Sequence, residues 1–499
     1  MVLVELCLLR VYDDNMQKTI VVVGGGTTGA LATGLLATFP PIRDWDIINI
    51  RSSLPTIGVG ESTTPLLMTA LQRMGIAEEF VEQTNCWPKY GAIFKGWSKE
   101  DLIGGWAING HRNDAITYLE GLTRNEVIPR SSEYVNAGMY PYDTNKESFH
   151  SPITVHIDAN QTAEFIFRKF EDRVITIDGN VTEVHINSDG IEKLSVDNPA
   201  IKAILGGKDT YFIDATGFGR VLINSFGIEF IKSELPCNAA LFVNDEENLS
   251  QGQNGWESRC KDMVTTATTG NAGWFWNIPL KSGRGHGYVY SSDYLTENQA
   301  IEEFSHHLGK DLENYNFTNS GRLYYRPGWV KTPAIKNCYA IGLAAGFLDA
   351  LDSPSIGQTT AQIFRFMRTL KNPNPQGYSK FVSKFYEKLN DYLLLHYKTC
   401  NRIEPFWKSI EKFTEEDLID RYINIMKEDN WTGNQGFLLS QSSRVINNRV
   451  NMSTKVASTI YDTLSKNEHI SINGEIKCVP WTRDIFMKHV EFGNENTIR

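Results

Sequence analysis

The sequence predicts an α/β protein with a dinucleotide-binding core, an inserted antiparallel sheet and a mainly helical C-terminal lobe. Three stretches carry this prediction. Lys18 to Val23 is a β-branched run that breaks into Gly24-Gly25-Gly26-Thr27-Thr28-Gly29 and then a small-residue helix, Ala30 to Phe39. Tyr211 to Gly217 is an apolar strand ending in Asp214-Ala215-Thr216-Gly217. Lys331 to Ile356 reads as a buried strand, a turn punctuated by Gly342 and Gly346, and a helix running from about Ile356 through Arg368.

With 499 residues and 41% hydrophobic composition the chain can bury a large core, as two or three domains or one two-lobed enzyme. No window approaches the ~18 to 20 apolar residues that a membrane span requires. A net charge of −10 without a basic block argues against nucleic acid as a partner. The seven cysteines are scattered, odd in number and without a CxxC pair, so neither a disulfide framework nor a metal site is expected, and the compartment reads as cytoplasmic. The N-terminus carries Glu5 and ends in Asp13-Asp14, which is not the pattern of a signal peptide. Met16 is an equally good start, since MQKTIVVVGGG is how a dinucleotide-binding domain begins.

In the first motif Gly24 permits the tight turn and Gly26 lets the backbone approach a pyrophosphate. Gly29 lets the helix pack on the strand, with Thr27 and Thr28 at its N-terminus. The next strand, Asp46 to Arg51, has Asn49 or Arg51 where a carboxylate would grip a ribose. Gly58-Val59-Gly60-Glu61 then suggests close approach to a flat ligand, followed by a helix that Ser62 or Thr63 caps and Pro65 starts. Lys89 lies between Trp87 and Tyr90, where aromatic surroundings either lower a lysine pKa or hold the cation.

From Thr154 a strand leads through His156-Ile157-Asp158-Ala159 into a helix, Gln161 to Asp172. A meander follows, Val174 to Ile177, Val181 to Ile186 and Ile191 to Val196, turning at Asp178-Gly179 and Asp189-Gly190. In Gly270 to Ser292 alternation puts Trp274 and Trp276 on one face and Phe275 on the other. Pro279 marks the strand's end, and Gly285-His286-Gly287 turns the hairpin. Asp352, Ser353 and Ser355 gather at a helix N-terminus suited to an anion. Asn372 to Gly377 reads as a linker into helices at Ser379 to Tyr397, Glu404 to Phe413 and Glu415 to Lys427. Trp407, Trp431 and Phe437 are candidates to line a pocket.

The order of G-x-G-x-x-G, helix, three-stranded insert and terminal D-A-T-G resembles the FAD-binding Rossmann-like fold of flavoprotein monooxygenases. With Gly58 to Glu61, the WxWxIP pattern Trp274 to Pro279, and GLAAGFLDALDS from Gly342 to Ser353, residues 16 to 370 resemble the flavin-dependent halogenases of the tryptophan-halogenase family. The domain reading is residues 16–230 for the FAD-binding part with its meander, 231–334 for the sheet bearing WxWxIP, 335–370 for the return to the FAD-binding part, and 371–499 for the helical lobe. The resemblance implies that Gly24, Gly26, Thr27, Thr28, Gly29, Gly58, Val59, Gly60, Glu61, Asp214, Gly342 and Leu348 hold FAD, used as FADH2. It implies that Trp274, Trp276 and Pro279 wall the flavin from an aromatic substrate, and that Ser353 and Ser355 stand at the halide site. Lys89 is implied to receive hypohalous acid, and Asp352 to act as the carboxylate beside the reacting ring. The implied partners are a separate flavin reductase, O2, a halide ion and a small aromatic molecule, with homo-oligomerisation left open.

The chain departs from the family where most members read P-L-E-S-T-G and this one reads Ala350-Leu351-Asp352-Ser353-Pro354-Ser355. The carboxylate is one methylene shorter, and Pro354 removes a backbone N–H associated with halide in the family. The expectation is a preference for bromide or iodide over chloride. The C-terminal lobe lacks a match to the cluster that holds free tryptophan, so the expected substrates are indoles, phenols or similar rings. Two alternatives stay open, a single-component FAD-dependent aromatic hydroxylase and a flavin-binding homologue that has lost catalysis. Against the first, Gly342 is followed by Leu343 rather than Asp.

Overall fold

The structure is a computed structural model. It describes residues 18–421 except 53–57, 59, 98–101, 106–138, 144–147, 150–153 and short loop stretches at 202, 207–208, 246–258, 260–261, 313–320, 415 and 419. It also describes 477–480, 486–487 and 490. Residues 1–17 and the pocket candidates Trp431 and Phe437 lie outside the described residues.

The elements used below are, in chain order, β1 Thr19–Val23, α1 Thr27–Ala37, β2 Asp46–Arg51, α2 Pro65–Arg73, β3 Trp87–Lys89, β4 Gly91–Lys95, β5 Thr154–His156 and α3 Ala159–Lys169. They continue as β6 Ile175–Asp178, β7 Thr210–Asp214, β8 Val264–Gly270, β9 Gly273–Leu280, β10 Gly283–Tyr290, β11 Cys338–Ala340, α4 Pro354–Thr369 and α5 Pro375–Thr399.

The run TIVVV has no polar face, and β1 is accordingly buried at the centre of a sheet ordered β11, β7, β1, β2, β6, all parallel, with Ala334–Ile335 as an antiparallel edge. The first strand expected in the meander is therefore β6, which joins this core sheet beside β2. Its Ile177 is buried and supplies one more parallel edge. The separate three-stranded sheet consists instead of Val181–Asn187, Gly190–Val196 and Ala203–Leu205.

A second sheet of seven strands carries β4, β8, β9 and β10 side by side. Alternation along β9 sends Trp274 and Trp276 to one face. Phe275 goes to the other, where it stacks on Tyr288 at 4.1 Å and His307 at 4.0 Å. The hairpin turns at Lys281-Ser282, not at Gly285 to Gly287, because Leu280 pairs with Gly283 and Pro279 with Arg284. Pro279 lies inside the strand because the pairing of β9 with β8 ends at Asn277, so its missing N–H interrupts no ladder. Gly287 faces Trp276, and a Cβ there would lie 2.0 Å from the indole ring. That glycine is a seat for the tryptophan rather than a turn residue.

Two helix starts differ from the sequence expectation. Thr64, not Ser62 or Thr63, is the N-cap of α2, and no side chain caps it. Ser62 Oγ pairs with Thr265 Oγ1 at 2.5 Å and Thr63 Oγ1 donates to Val155 O at 2.5 Å, so both hydroxyls tie α2 to neighbouring strands. The stretch at Asn372 to Gly377 is a turn closed by Gly377 N–H donating to Asn374 Oδ1 at 2.7 Å, and α5 starts within it at Pro375. Buried Tyr378, Tyr386, Tyr392 and Tyr397 pack one face of α5 against the core. Beyond α5 the helix expected over Glu404 to Phe413 is Pro405–Ser409, and most of the one expected over Glu415 to Lys427 lies outside the described residues.

Gly287→Ala is expected to destabilise the protein by about 1 to 3 kcal/mol through overpacking, read by urea unfolding, with a shift in tryptophan emission. Wild-type stability with unshifted emission would show that the Trp276 ring does not depend on that glycine.

Candidate functional site

One cavity of about 650 Å3 runs between the two sheets, from the first glycine motif to the start of α4. At one end β1 turns sharply, with Gly24 at φ +146°, where a Cβ would lie 2.3 Å from Ala215 O. A Cβ on Gly29 would lie 2.1 Å from Gly24 O, so the N-terminus of α1 can press against the turn only with glycine at both positions. The first intrahelical bond is Ala30 N–H to Gly26 O, which leaves the preceding N–H groups beside the cavity. Gly24, Gly26, Thr27, Thr28, Gly58, Gly60, Glu61, Gly342 and Leu348 all line it, whereas Gly29 stands behind the turn and Val59 is outside the described residues. Gly342, at φ +66°, brings its turn against Thr28.

Neither Asn49 nor Arg51 takes the place of a ribose-binding carboxylate. Asn49 Nδ2 donates to Val22 O and Gly24 O, both at 3.1 Å, and Arg51 lies over Phe167 while donating to Thr176 Oγ1 at 2.7 Å. Asp214, expected to contact the cofactor, is fully buried and does not line the cavity. Its carboxylate accepts from Thr216 N–H, Thr216 Oγ1, Leu222 N–H and Ile223 N–H at 2.6 to 3.0 Å, folding the chain after β7 back on itself. The shape suits an extended dinucleotide, and Gln358, which lines the cavity, has its Nε2 buried without a partner among the described residues.

Toward the other end the wall is Trp274, Trp276 and Ile278, with the two indole centroids 6.1 Å apart. Pro279, one residue out of phase, is absent from the lining. Trp407 is also absent, being buried against Trp97 and Tyr397 with its Nε1 donating to Gly270 O at 2.9 Å.

Lys89 ends β3, where pairing with Thr154 of β5 turns it inward. It is 1% exposed, it does not line the cavity, and its Nζ donates to Thr63 O at 2.8 Å from behind the Ser62 to Thr64 turn. Arg259 lies over the neighbouring Trp87 ring at 4.3 Å. Desolvation lowers the Lys89 pKa from 10.5 to about 8, opposed by the charge of Asp352.

Asp352 lines the cavity from a left-handed turn, with φ +58° at Asp352 and +62° at Ser353. Tyr392 O–H donates to Asp352 Oδ2 at 2.6 Å. Ser353 N–H donates to Ala350 O at 3.1 Å and Pro354 is the first residue of α4. The hydroxyls of Ser353 and Ser355 therefore stand at the helix start with the Ser355 N–H.

Asp349 and His156 carry no site role in the sequence reading, and Glu61 takes a protonation that reading does not foresee. Asp349 is buried at the cavity wall, accepts from Tyr397 O–H at 2.6 Å, and is pushed up to about 6 by burial. Glu61 is raised to about 7, first by burial and then by Asp158. His156 is fully buried with Nε2 2.9 Å from Thr265 Oγ1, and desolvation keeps it neutral. The repeated aspartate in Asp349-Ala350-Leu351-Asp352 was the available signal for the first of these; the long-range partners left none. Among the described residues no group of three or more His, Cys, Asp and Glu is placed to hold a metal ion.

The sequence profile of the tryptophan halogenase family matches residues 19–465. The chain is 26% identical over 447 residues to the tryptophan 6-halogenase ThaL of Streptomyces albogriseolus, covering 81% of each protein. It is 24% identical over 444 residues to the tryptophan 7-halogenase RebH of Lentzea aerocolonigenes, covering 82% of this chain and 81% of that one. Its fold is similar to that of BrvH, a flavin-dependent halogenase from Brevundimonas sp. BAL3. That likeness has a TM-score of 0.70 at 23% identity and covers 91% of this chain and 97% of the other.

A lysine whose folded pKa lies below its ordinary value withholds stability wherever it is charged in both states, and that loss is relieved as pH rises through the folded pKa. Lys89→Met is therefore expected to be the more stable protein at pH 7, by up to about 3 kcal/mol. The gap should close between about pH 8 and pH 10.5, read by urea unfolding across that range. A gap that does not change with pH would mean that the Lys89 pKa is not lowered.

Proposed function

The chain belongs to the tryptophan halogenase family of flavin-dependent, FADH2-using oxidoreductases, and from that premise we propose that it halogenates electron-rich aromatic rings other than free tryptophan, favouring bromide or iodide over chloride. The observation that carries the reading is the placement of Lys89. It is a buried lysine with a lowered pKa, set behind the cavity wall and coupled to the carboxylate of Asp352.

FAD would be held with its phosphates at Gly24, Gly26, Thr27 and Thr28 and its ring system near Gly58, Gly60, Glu61, Gly342 and Leu348. When bound and reduced, it supplies with O2 and halide the oxidising power that yields hypohalous acid. Ser353 and Ser355 offer hydroxyl donors and the Ser355 N–H to the halide. Pro354 offers none, which weakens chloride most because the smallest of the three halides needs the most hydrogen bonding to offset dehydration. Trp274 and Trp276 keep the organic substrate off the flavin side. Lys89, charged at neutral pH but close to its pKa, donates a hydrogen bond to the oxygen of hypohalous acid or, when neutral, takes the halogen on nitrogen. Asp352 stabilises the cationic ring and accepts its proton, with one oxygen fixed by Tyr392.

The partners in this reading are a flavin reductase, as flavin-dependent halogenases generally need, and a small aromatic molecule. A cytoplasmic setting is supported by Cys86, Cys237, Cys338 and Cys400, which are buried free thiols. Among the described residues no helix is long and apolar enough to cross a membrane.

The test is a halide competition, using purified protein, FAD, a flavin reductase, NADH, O2, a panel of indoles and phenols, and equal chloride, bromide and iodide, read by mass spectrometry with hypohalous acid scavenged in controls. Brominated or iodinated product is expected, reduced about 100-fold or more by Lys89→Ala or Asp352→Ala. Hydroxylated product, or peroxide alone, would overturn the halogenase reading. Pro354→Thr is expected to raise chlorination relative to bromination. Chlorination at or above the other two rates in the wild type would remove the halide preference.

A further inference from the structure

We propose that a surface pocket framed by Arg220 and Arg326 is a small-anion site that collects halide for the flavin cavity. The choice of halide as ligand rests on the halogenase reading; the site itself rests on geometry. The pocket, of about 260 Å3, shares Phe218 and Tyr325 with the large cavity and is otherwise formed by Arg220, Asn224, Phe230, Tyr324 and Arg326.

Arg220 holds a left-handed backbone conformation, φ +48°, that a side chain of its kind rarely adopts. Its guanidinium lies over the Phe230 ring at 4.6 Å and donates from Nη1 to Phe218 O at 3.3 Å. Its Nε and Nη2 are buried with no hydrogen-bond partner among the described residues. Arg326 lies over the same ring at 5.5 Å. Two cations thus share one aromatic ring in a protein of net charge −10, and no acidic side chain lines their pocket. The carboxylates nearest these arginines have partners of their own: Asp214, whose charge reaches Arg220, accepts from Thr216, Leu222 and Ile223, Glu229 pairs with Lys331 at 2.7 Å, and Glu297 pairs with Arg322 and accepts from Tyr324, both at 2.7 Å.

An arrangement of this kind is stable when an anion accepts from the orphaned N–H groups. A guanidinium stacked on an aromatic ring is weakly hydrated and matches a weakly hydrated anion, which among halides means bromide or iodide before chloride. Phe347 lines the cavity and meets both shared residues, Phe218 edge-on at 5.6 Å and Tyr325 edge-on at 4.9 Å, so the two spaces adjoin there.

The experiment is bromide NMR line broadening on purified protein without flavin, comparing the wild type with Arg326→Gln and Arg220→Met after thermal melts show that each is folded. The protein-dependent broadening is expected to fall by about half or more in each variant. In turnover assays the same changes should appear in the KM for bromide, raised about fivefold, rather than in kcat, with a weaker dependence on ionic strength. Broadening equal to wild type in the folded variants would overturn the site. Should Arg220→Met fail to fold, the exposed Arg326→Gln decides alone. Because binding is read without flavin, a protein that binds bromide in this way yet forms no halogenated product would count against the halogenase reading and leave the anion site standing.

Discussion

The site depends on holding one strained turn, Gly342 to Ser353, against the rest of the protein. Asp352 and Ser353 sit side by side in left-handed conformations, at a cost of about 1 to 2 kcal/mol each for side-chain-bearing residues. The counterweight is a row of tyrosines on α5. Tyr378 donates to Ala340 O at 3.0 Å, Tyr386 to Gly346 O at 2.8 Å, Tyr392 to Asp352 and Tyr397 to Asp349. Hydrogen bonds to charged acceptors contribute about 1.5 to 3 kcal/mol and neutral ones about 1, so the four together exceed the strain. A helix in the C-terminal region therefore fixes chemistry that belongs to the central turn.

That clamp operates in a largely buried interior, where ionisable groups take unusual protonation states. Lys89 is lowered to about 8, while Asp349 and Glu61 are raised to about 6 and about 7, in every case chiefly by burial. Groups poised this near neutrality can exchange protons at little cost, as general acid and base chemistry requires. Lys89 reaches this state because a short strand pair buries it.

Legibility in the sequence followed the range of the interaction. The glycine motif was readable because its requirements are steric and local, and the same is true of the facing of Trp274 and Trp276, which follows from a period of two. The hairpin was misplaced because Gly285 and Gly287 look like turn residues. Gly287 is there to admit an indole from the neighbouring strand, and the strand run itself carries no mark of that neighbour. Ser62 and Thr63 were read as caps for the same reason, since their hydroxyls answer to strands about 90 and 200 residues away in sequence.

By itself the sequence determined the βαβ core and the shared facing of Trp274 and Trp276, since each is written in a contiguous pattern whose geometry follows from neighbouring residues, while Lys89 and Asp352 took their catalytic roles only from the family resemblance. The tertiary structure alone decided that Asp214 serves the loop rather than the cavity, that Pro279 leaves the wall, and that Asp349 and four tyrosines brace the site. Those outcomes turn on which distant atom satisfies a buried polar group, and burial is a property of the packed molecule rather than of any stretch of chain.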